Sequence, residues 1–417
     1  MKRRFLAFLV CMAVLLASFT GCYSAQDGPS TLSSSQTMQS NSGSAAENSV
    51  EIRTYGIPEE NVRANIIYVP SPSTGGFWTC AVFNAKTIQA YDPTTKTAYF
   101  PCYQAGCKHN DASCTANFGG VISGFAEYRG NFYAMIYYND DTASAFVTRP
   151  VSGGPLQILA SWEPENENEE CRCGFYGLSF GKAYLTVSKE TYAMKDGQTE
   201  SVKEEYSKCS LDLETGELVE YMADEDGYLP YMHGVWGDVA VFQDWYADRP
   251  DGTPVKRDGS EDYNFRLYSK NLRTGEEKTI VDVTENFIWT ADPHVSWGQY
   301  TVYQVDRSVY VYDMETQTSK KLFTHEPGWD FYNYMILDGH VMVIGGTEDT
   351  CRAWAIDIMD GSVVELDTRG GNVVAFGANY ECNGYFAGLK RNSSGDFEQC
   401  YISKEDFYRS NYDAAFR

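Results

Sequence analysis

Apolar and polar positions along this chain fall into short alternating runs rather than long helical stripes. From Gly76 onward one unit recurs: an apolar strand, a polar or aromatic residue, a Gly, then a second strand whose apolar residues alternate. It stands at Gly76 (GGFWTCAVF), Gly130 (YRGNFYAMIYY), Gly181 (SFGKAYLTV), Gly237 (VWGDVAVFQDW), Gly298 (SWGQYTVYQV), Gly339 (LDGHVMVIGG) and Gly384 (CNGYFAGLK). The intervals between these glycines are 54, 51, 56, 61, 41 and 45 residues. A Gly in that place supplies the positive φ of a tight hairpin turn. In most units a second signal follows, a strand ending in Asp or Asn, a short polar turn and another strand. It reads YDPTTKTAYF, LDLETGELVEY, KNLRTGEEKTI, YDMETQTSKKL and IDIMDGSVVEL, with RPVSGGPLQIL as a variant in unit two. Together the two signals predict four short antiparallel strands per unit.

Self-similarity of this kind marks a repeat architecture. Seven four-stranded units predict one all-β domain, a β-propeller of seven blades, with six or eight blades or two smaller β domains as the alternatives. The longer intervals carry polar insertions, KETYAMKDGQTESVKEEYS in unit three and DRPDGTPVKRDGSED in unit four, expected as charged loops. The last unit, QCYISKEDFY, lacks the Asp-turn-strand continuation. Val50 to Tyr55 is therefore expected to pair there and cover the open edges. From Arg63 to about Tyr408 the pattern resembles TolB-like propellers and other Gram-positive surface lipoproteins. The resemblance implies the fold and leaves the activity open.

The amino terminus is different in kind. Lys2, Arg3 and Arg4 precede thirteen apolar residues, Phe5 to Ala17, the charged start and short apolar run of a secretory signal. Such a run is too short for a permanent membrane helix. It leads into Ser18, Phe19, Thr20, Gly21 and Cys22, which resembles the lipobox of bacterial lipoproteins, with Phe19 where Leu is usual. The resemblance implies that Cys22 becomes the lipidated first residue, held by acyl chains at the outer face of the cytoplasmic membrane. From Tyr23 to about Val50 the chain is rich in Ser, Gln, Asn, Gly and Ala and reads as a flexible tether with a reach of about 30 Å. The expected organisation is thus a signal over 1–21, lipidated Cys and tether over 22–50, and the propeller over 51–417.

Composition narrows the function classes. Tyr (31) and Phe (22) are abundant, as suits pleated, half-buried surfaces. The precursor carries a net charge of -24, and removal of Lys2, Arg3 and Arg4 takes it to -27. That balance argues against nucleic acid and against docking on anionic lipid. The expected partner beyond the membrane is a protein or a glycan, engaged by a monomeric, non-enzymatic binding module. The alternative is an extracellular enzyme acting on polysaccharide or peptide through carboxylates from several blades.

Several local patterns carry candidate chemistry. Gly177 to Gly181 (GLSFG) matches the nucleophile-elbow spacing, but Gly181 is the hairpin Gly of unit three, so Ser179 falls at a strand-to-strand turn instead of a strand-to-helix elbow. His233 and His294 each lie four residues before the hairpin Gly of neighbouring units. They are channel candidates for a metal or an anion, against a packing role. Trp236 and Trp297 precede those same glycines and are candidates for an aromatic platform, against filling the wedge between blades. The acidic runs Glu163 to Glu170 and Asp224 to Asp226 offer oxygen ligands without the full spacing of a calcium loop.

The most specific pattern is Cys102, Cys107, His109 and Cys114, in the order C-x4-C-x-H-x4-C after the first unit. Three sulfurs and an imidazole are the ligand types of a closed tetrahedral zinc site. The segment also resembles one found after the first repeat of Gram-positive surface lipoproteins. An exported chain with ten cysteines beyond Cys22 meets oxidising conditions, so a disulfide between two of these three cysteines is the favoured reading, with zinc or another soft metal, or free thiols, as the alternatives.

Overall fold

The computed structural model describes residues 53–416 except 56, 66–68, 72–75, 81–85, 103, 110–112, 139–141, 196–197, 225–228, 249–253, 256–263, 284–295, 327–329, 348–349, 368–375, 383 and 392–395. Seven antiparallel sheets follow one another along the chain and are arranged as a propeller ring. Blade 1 holds Val69–Pro70, Phe77–Cys80, Ile88–Asp92 and Thr97–Tyr99; blade 2 holds Val121–Tyr128, Asn131–Tyr138, Ala143–Pro150 and Gln157–Trp162. Blade 3 is built on Glu169–Ser179, Lys182–Lys195, Gln198–Asp212 and Leu218–Asp224. Blade 4 comprises Tyr231–Trp236, Val239–Asp248, Asn264–Asn271 and Glu277–Val283, with Pro254–Val255 as a side strand. Blade 5 comprises Ser296–Trp297, Tyr300–Val305, Ser308–Asp313 and Thr318–Thr324; blade 6 Asp330–Leu337, His340–Thr347, Thr350–Asp357 and Val363–Leu366. Blade 7 has Phe376–Cys382, Tyr385–Arg391 and Phe397–Ser403, followed by the short helix Lys404–Tyr408.

Both sequence signals have a structural counterpart. In blades 2, 3 and 6 the residue before the hairpin Gly also has positive φ (Arg129, Phe180, Asp338), so the two turn residues together make the left-handed pair of a type I′ turn. In blades 4 and 5 the Gly is instead the first turn residue, because Trp236 pairs with Val239 and Trp297 with Tyr300. Aligning units on their glycines therefore shifts blades 4 and 5 by one residue against the others. Gly76 is a third case: it shows no positive φ, and a Cβ there would stand 2.1 Å from the Tyr91 carbonyl oxygen. The second signal is an Asx turn. Asp92, Asp212, Asn271, Asp313 and Asp357 each accept a backbone N–H two residues on, at 2.7–3.1 Å, through Oδ1.

Seven hydrophobic clusters lie between successive blades, one for each junction of the ring. The closing junction joins blade 7 to blade 1 through Phe77, Cys382, Ala387 and Tyr401, with Tyr91 stacked on Tyr401 at 4.2 Å. The described part of the proposed closing segment, Arg53 to Tyr55, does not pair with blade 7. Among the described residues that blade has three strands, and its outer strand bridges Phe416 through Tyr401.

What Arg53 to Asn65 does instead is to strap one face of the ring. The hairpins joining first and second strands define this hairpin face; the turns joining second and third strands lie on the opposite, crossover face. Tyr55 sits so close to Gly339 in blade 6 that a Cβ there would lie 2.5 Å from its ring. Pro58 covers Gly298 in blade 5, and Asn61 donates to the carbonyls of Val235 in blade 4 and Gly298. Glu60 accepts from Tyr128 (2.8 Å) and Arg129 in blade 2, while Phe180 N–H in blade 3 donates to the Glu60 carbonyl. Asn61–Arg63 then turns into the channel as a fifth strand against the innermost strand of blade 3.

The strap is locked to the end of the chain by buried charge. Lys404 Nζ donates to Asp338 Oδ1 (2.7 Å), Glu381 Oε2 (3.3 Å) and the Tyr55 carbonyl (3.2 Å). Tyr55 N–H donates to the same Asp338 Oδ1, and Tyr408 hydroxyl to Oδ2. Removing one partner of a buried pair leaves an uncompensated charge, which costs about 3–5 kcal/mol. Lys404→Met should destabilise the protein by that amount at neutral pH, read by chemical denaturation. A loss under about 1 kcal/mol, the scale of a surface pair, would show that Lys404 does not hold the closure.

Candidate metal centre and the channel

The connection from blade 1 to blade 2 runs from Phe100 to Gly120 with no regular strand among its described residues. Its second half is pinned to blade 1: Thr87 bridges Asn117, Ile88 N–H donates to the Ala116 carbonyl (3.0 Å), and Phe118 N–H to the Lys86 carbonyl (2.7 Å). From blade 2 the buried Arg149 donates to the carbonyls of Cys114, Thr115 and Asn117 and lies over the Phe118 ring. Thr115 hydroxyl donates to the Pro101 carbonyl, which draws the first half of the loop back onto the second.

This path brings Cys102, Cys107, His109 and Cys114 together, with one ligand atom of each within 4.8 Å of all the others. His109 adopts φ 58°, its ring stacked on Phe100 at 4.3 Å and its Nδ1 3.3 Å from Cys114 Sγ. Backbone N–H groups of His109 and Ala116 donate to Sγ of Cys107 (3.3 Å) and Cys114 (3.4 Å). The backbone N–H of Gln104 draws the Cys102 thiol down to about 6, while burial pushes Cys114 up to about 11. All three sulfurs are free thiols. The disulfide favoured from redox compartment is thus not formed, because the loop curls the three sulfurs around a centre shared with the imidazole. Cys171, Cys173, Cys209, Cys351, Cys382 and Cys400 are likewise buried free thiols. The side chain of Cys80 lies outside the described residues.

The other candidates have separate fates. Cys22 and His294 lie outside the described residues. His233 is fully buried, its Nε2 2.6 Å from Gln243 Oε1, and burial lowers its pKa to about 4, so it is a neutral core imidazole. Trp236 packs edge-on against Phe180 at 4.8 Å. Trp297 meets Tyr55 at 5.9 Å and donates from Nε1 to Glu381 Oε1 (2.9 Å). Both tryptophans thus pack beneath or beside the hairpin face. Ser179 is fully buried at its hairpin and accepts from Gly237 N–H. Within Glu163 to Glu170, Glu165 and Glu169 pair with Lys189, Glu170 pairs with Arg172, and Glu163 accepts from the Tyr138 hydroxyl.

Between strap and channel wall lies a cavity of about 100 Å³ lined by Arg63, Trp297, Tyr380 and Glu381 among others. Sequence reading does not find the carboxylates gathered around Lys404, since Asp338, Glu381 and Lys404 come from a turn, a strand and a helix far apart along the chain. An Asp at a turn position otherwise held by Arg or Phe was the available signal. Glu381 is pushed up to about 7 by burial, against the opposing pull of Lys404, and burial also raises Asp338.

Fold and site together define a seven-bladed β-propeller with a Cys3His cluster in its first inter-blade connection. No family model matches the chain, and no curated protein matches it. Among solved structures it is similar to Porphyromonas gingivalis dipeptidyl peptidase 4, at 12% identity and TM-score 0.46, over 82% of this chain and 59% of that one. It is similar also to the β-propeller domain of the Trilobed protease from Pyrococcus furiosus, at 10% identity and TM-score 0.40, over 82% and 93% of the two chains. TolB from Acinetobacter baumannii matches at 11% identity and TM-score 0.30, over 74% and 64%. The chain spans about three fifths of the length of the dipeptidyl peptidase.

The burial of Glu381 gives stability a pH dependence of definite sign. Its folded pKa, about 7, exceeds the unfolded value of about 4.3. The folded state therefore favours the protonated form, and its contribution is full below about pH 4.3 and lost as pH rises through 7. Glu381→Gln should gain on the native protein by on the order of 2–3 kcal/mol between pH 4 and pH 8. Parallel denaturation series of the two proteins measure this, and a difference independent of pH would refute it.

Proposed function

We propose that this propeller is a binding module, held by lipid on Cys22 at the outer face of the cytoplasmic membrane and presenting its crossover face to a protein or glycan partner. The observation that carries the reading is the opposition of two features. The strap enters the ring on the hairpin face, so a tether from Cys22 reaches the domain there and turns the other face away from the membrane. On that other face blade 3 raises a hairpin from strands of 14 and 15 residues, against 8 and 8 in blade 2. The insertion expected there as a charged loop is thus a β-arm, with Met194 and Val202 exposed upon it. Exposed apolar side chains on a projecting element are contact material for a partner.

The alternative is an extracellular enzyme acting on polysaccharide or peptide, which needs carboxylates free to exchange protons in an open cleft. The gathered carboxylates here are engaged by Lys404, Tyr55, Tyr408 and Trp297 beneath the strap, which favours binding. The acidic surface fits a partner that is neither nucleic acid nor anionic lipid.

Two measurements test the proposal. Cys22→Ser should release the chain from the membrane fraction; retention of the variant there would overturn the anchor. The full chain is then screened against glycans, cell-wall fragments and peptides for binding and turnover. Replacing Tyr192 to Val202 with a two-residue Asn-Gly turn, which closes on the Thr191–Lys203 pair, should leave the fold intact and weaken the bound partner at least about tenfold, or 1.4 kcal/mol. Turnover of any substrate, or binding indifferent to the arm, would overturn the reading.

A further inference from the structure

We propose that Cys102, Cys107, His109 and Cys114 form a closed tetrahedral site for Zn2+ that fastens the connection between blades 1 and 2. The donor set is three thiolates and one imidazole, matching structural zinc in both type and number. The distances are close to what the ion needs. With Zn–S near 2.3 Å and Zn–N near 2.1 Å, tetrahedral ligands stand about 3.5–3.8 Å apart; here all four lie within 4.8 Å of one another, and His109 Nδ1 is 3.3 Å from Cys114 Sγ. Binding requires only a small inward movement of side chains. Each Cys loses its thiol proton to solvent as the ion binds, so three protons leave when all three begin as thiols, and no oxidant or reductant takes part.

Three independent features of the backbone prepare the site. His109 holds positive φ, which turns its ring toward Cys114 while Phe100 stacks on the ring face. Backbone N–H groups already donate to Cys107 and Cys114 sulfur. Such outer bonds offset part of the negative charge on thiolate ligands and fix their direction. Arg149, with three loop carbonyls on its guanidinium, sets the Cys114 end from the neighbouring blade.

The place in the fold gives the ion its role. Blade 1 ends in Thr97–Tyr99, a strand of three residues, all exposed, and the chain then runs to Val121 without a regular strand among the described residues. No described residue from Cys102 to Ser113 is buried, apolar burial beginning only with Cys114, Ala116 and Phe118, and a loop of this length carries a closure cost that a metal crosslink offsets.

The test uses the full-length chain, extracted in detergent under reducing conditions. Metal analysis should return one zinc per chain. Exchange with Co2+ should give thiolate-to-cobalt charge-transfer absorption and the intense visible bands of tetrahedral coordination. Chelation should lower the thermal midpoint, with Zn2+ restoring it. In His109→Ala and Cys107→Ser the bound zinc should fall toward zero, whereas His109→Cys should retain it. Cys209→Ser, in blade 3, should leave it at one per chain. Cobalt spectra on the native chain decide the matter even where a variant fails to fold. Absence of zinc together with failure of the reduced chain to take up Zn2+ or Co2+ overturns the proposal, as does a disulfide mapped within Cys102 to Cys114 in protein isolated without reductant.

Discussion

Lys404 places one positive charge where two buried carboxylates and a backbone carbonyl converge, and blade 6, blade 7, the carboxyl-terminal helix and the strap are joined at that point. A ring of repeats has to join its last member to its first. Among the described residues blade 7 has three strands, none of them from the other end of the chain. Aromatic packing of Tyr401 on Tyr91 and Phe77 covers the seam, while the ammonium ties the carboxyl-terminal helix to blade 6, to blade 7 and to Tyr55 of the strap. Buried ion pairs add little net stability compared with well-packed apolar groups, but they penalise every arrangement that separates their members. Only one position of the helix and strap satisfies all the partners of this cluster.

The strap changes how the interior is used. A channel in a propeller can hold a ligand at its mouth; here the mouth on the hairpin face is crossed by the chain itself, with contacts to blades 2 through 6 and a fifth strand laid along blade 3. The face that the strap leaves uncovered is the crossover face, where the long hairpin of blade 3 arises. The Cys3His connection belongs to the same set of loops, being one of the passages between blades. Order in that passage therefore bears on the shape of that face.

Much of the architecture was legible before any coordinates. Turns have local chemistry: Gly181 and Gly339 announce left-handed backbone, and Asp212 or Asn271 two residues ahead of the N–H it accepts announces an Asx turn. The one-residue offset of blades 4 and 5 was hidden because a Gly can serve either central turn position, and only the pairing of Trp236 with Val239 tells which. The four residues of the candidate metal centre were legible as ligand types, yet spacing alone does not say whether two sulfurs meet each other or surround a common centre. Least visible were the contacts of Tyr55 with Asp338 and Lys404, which are separated along the chain by hundreds of residues and share no pattern. The polar insertion in blade 3 was read as loop because its side chains are charged, and it forms strands because both of its edges continue an established hairpin ladder.

The antiparallel pairing of Asn61–Arg63 with blade 3, and the anchorage of Tyr55 ahead of it, also decide how the molecule carries mechanical load. Tension arriving from residues before Arg53 meets first the Arg53 contact with Asp360 and the Tyr55 contacts with Asp338, Asp357 and Lys404, and only afterwards the short strand in the channel. The first of these contacts gather on blade 6 and the carboxyl-terminal helix, so a pull is shared between those two elements before it reaches the strand in the channel. The strap works as a strain relief, and the crossover face on the far side is mechanically insulated from load that enters ahead of Arg53.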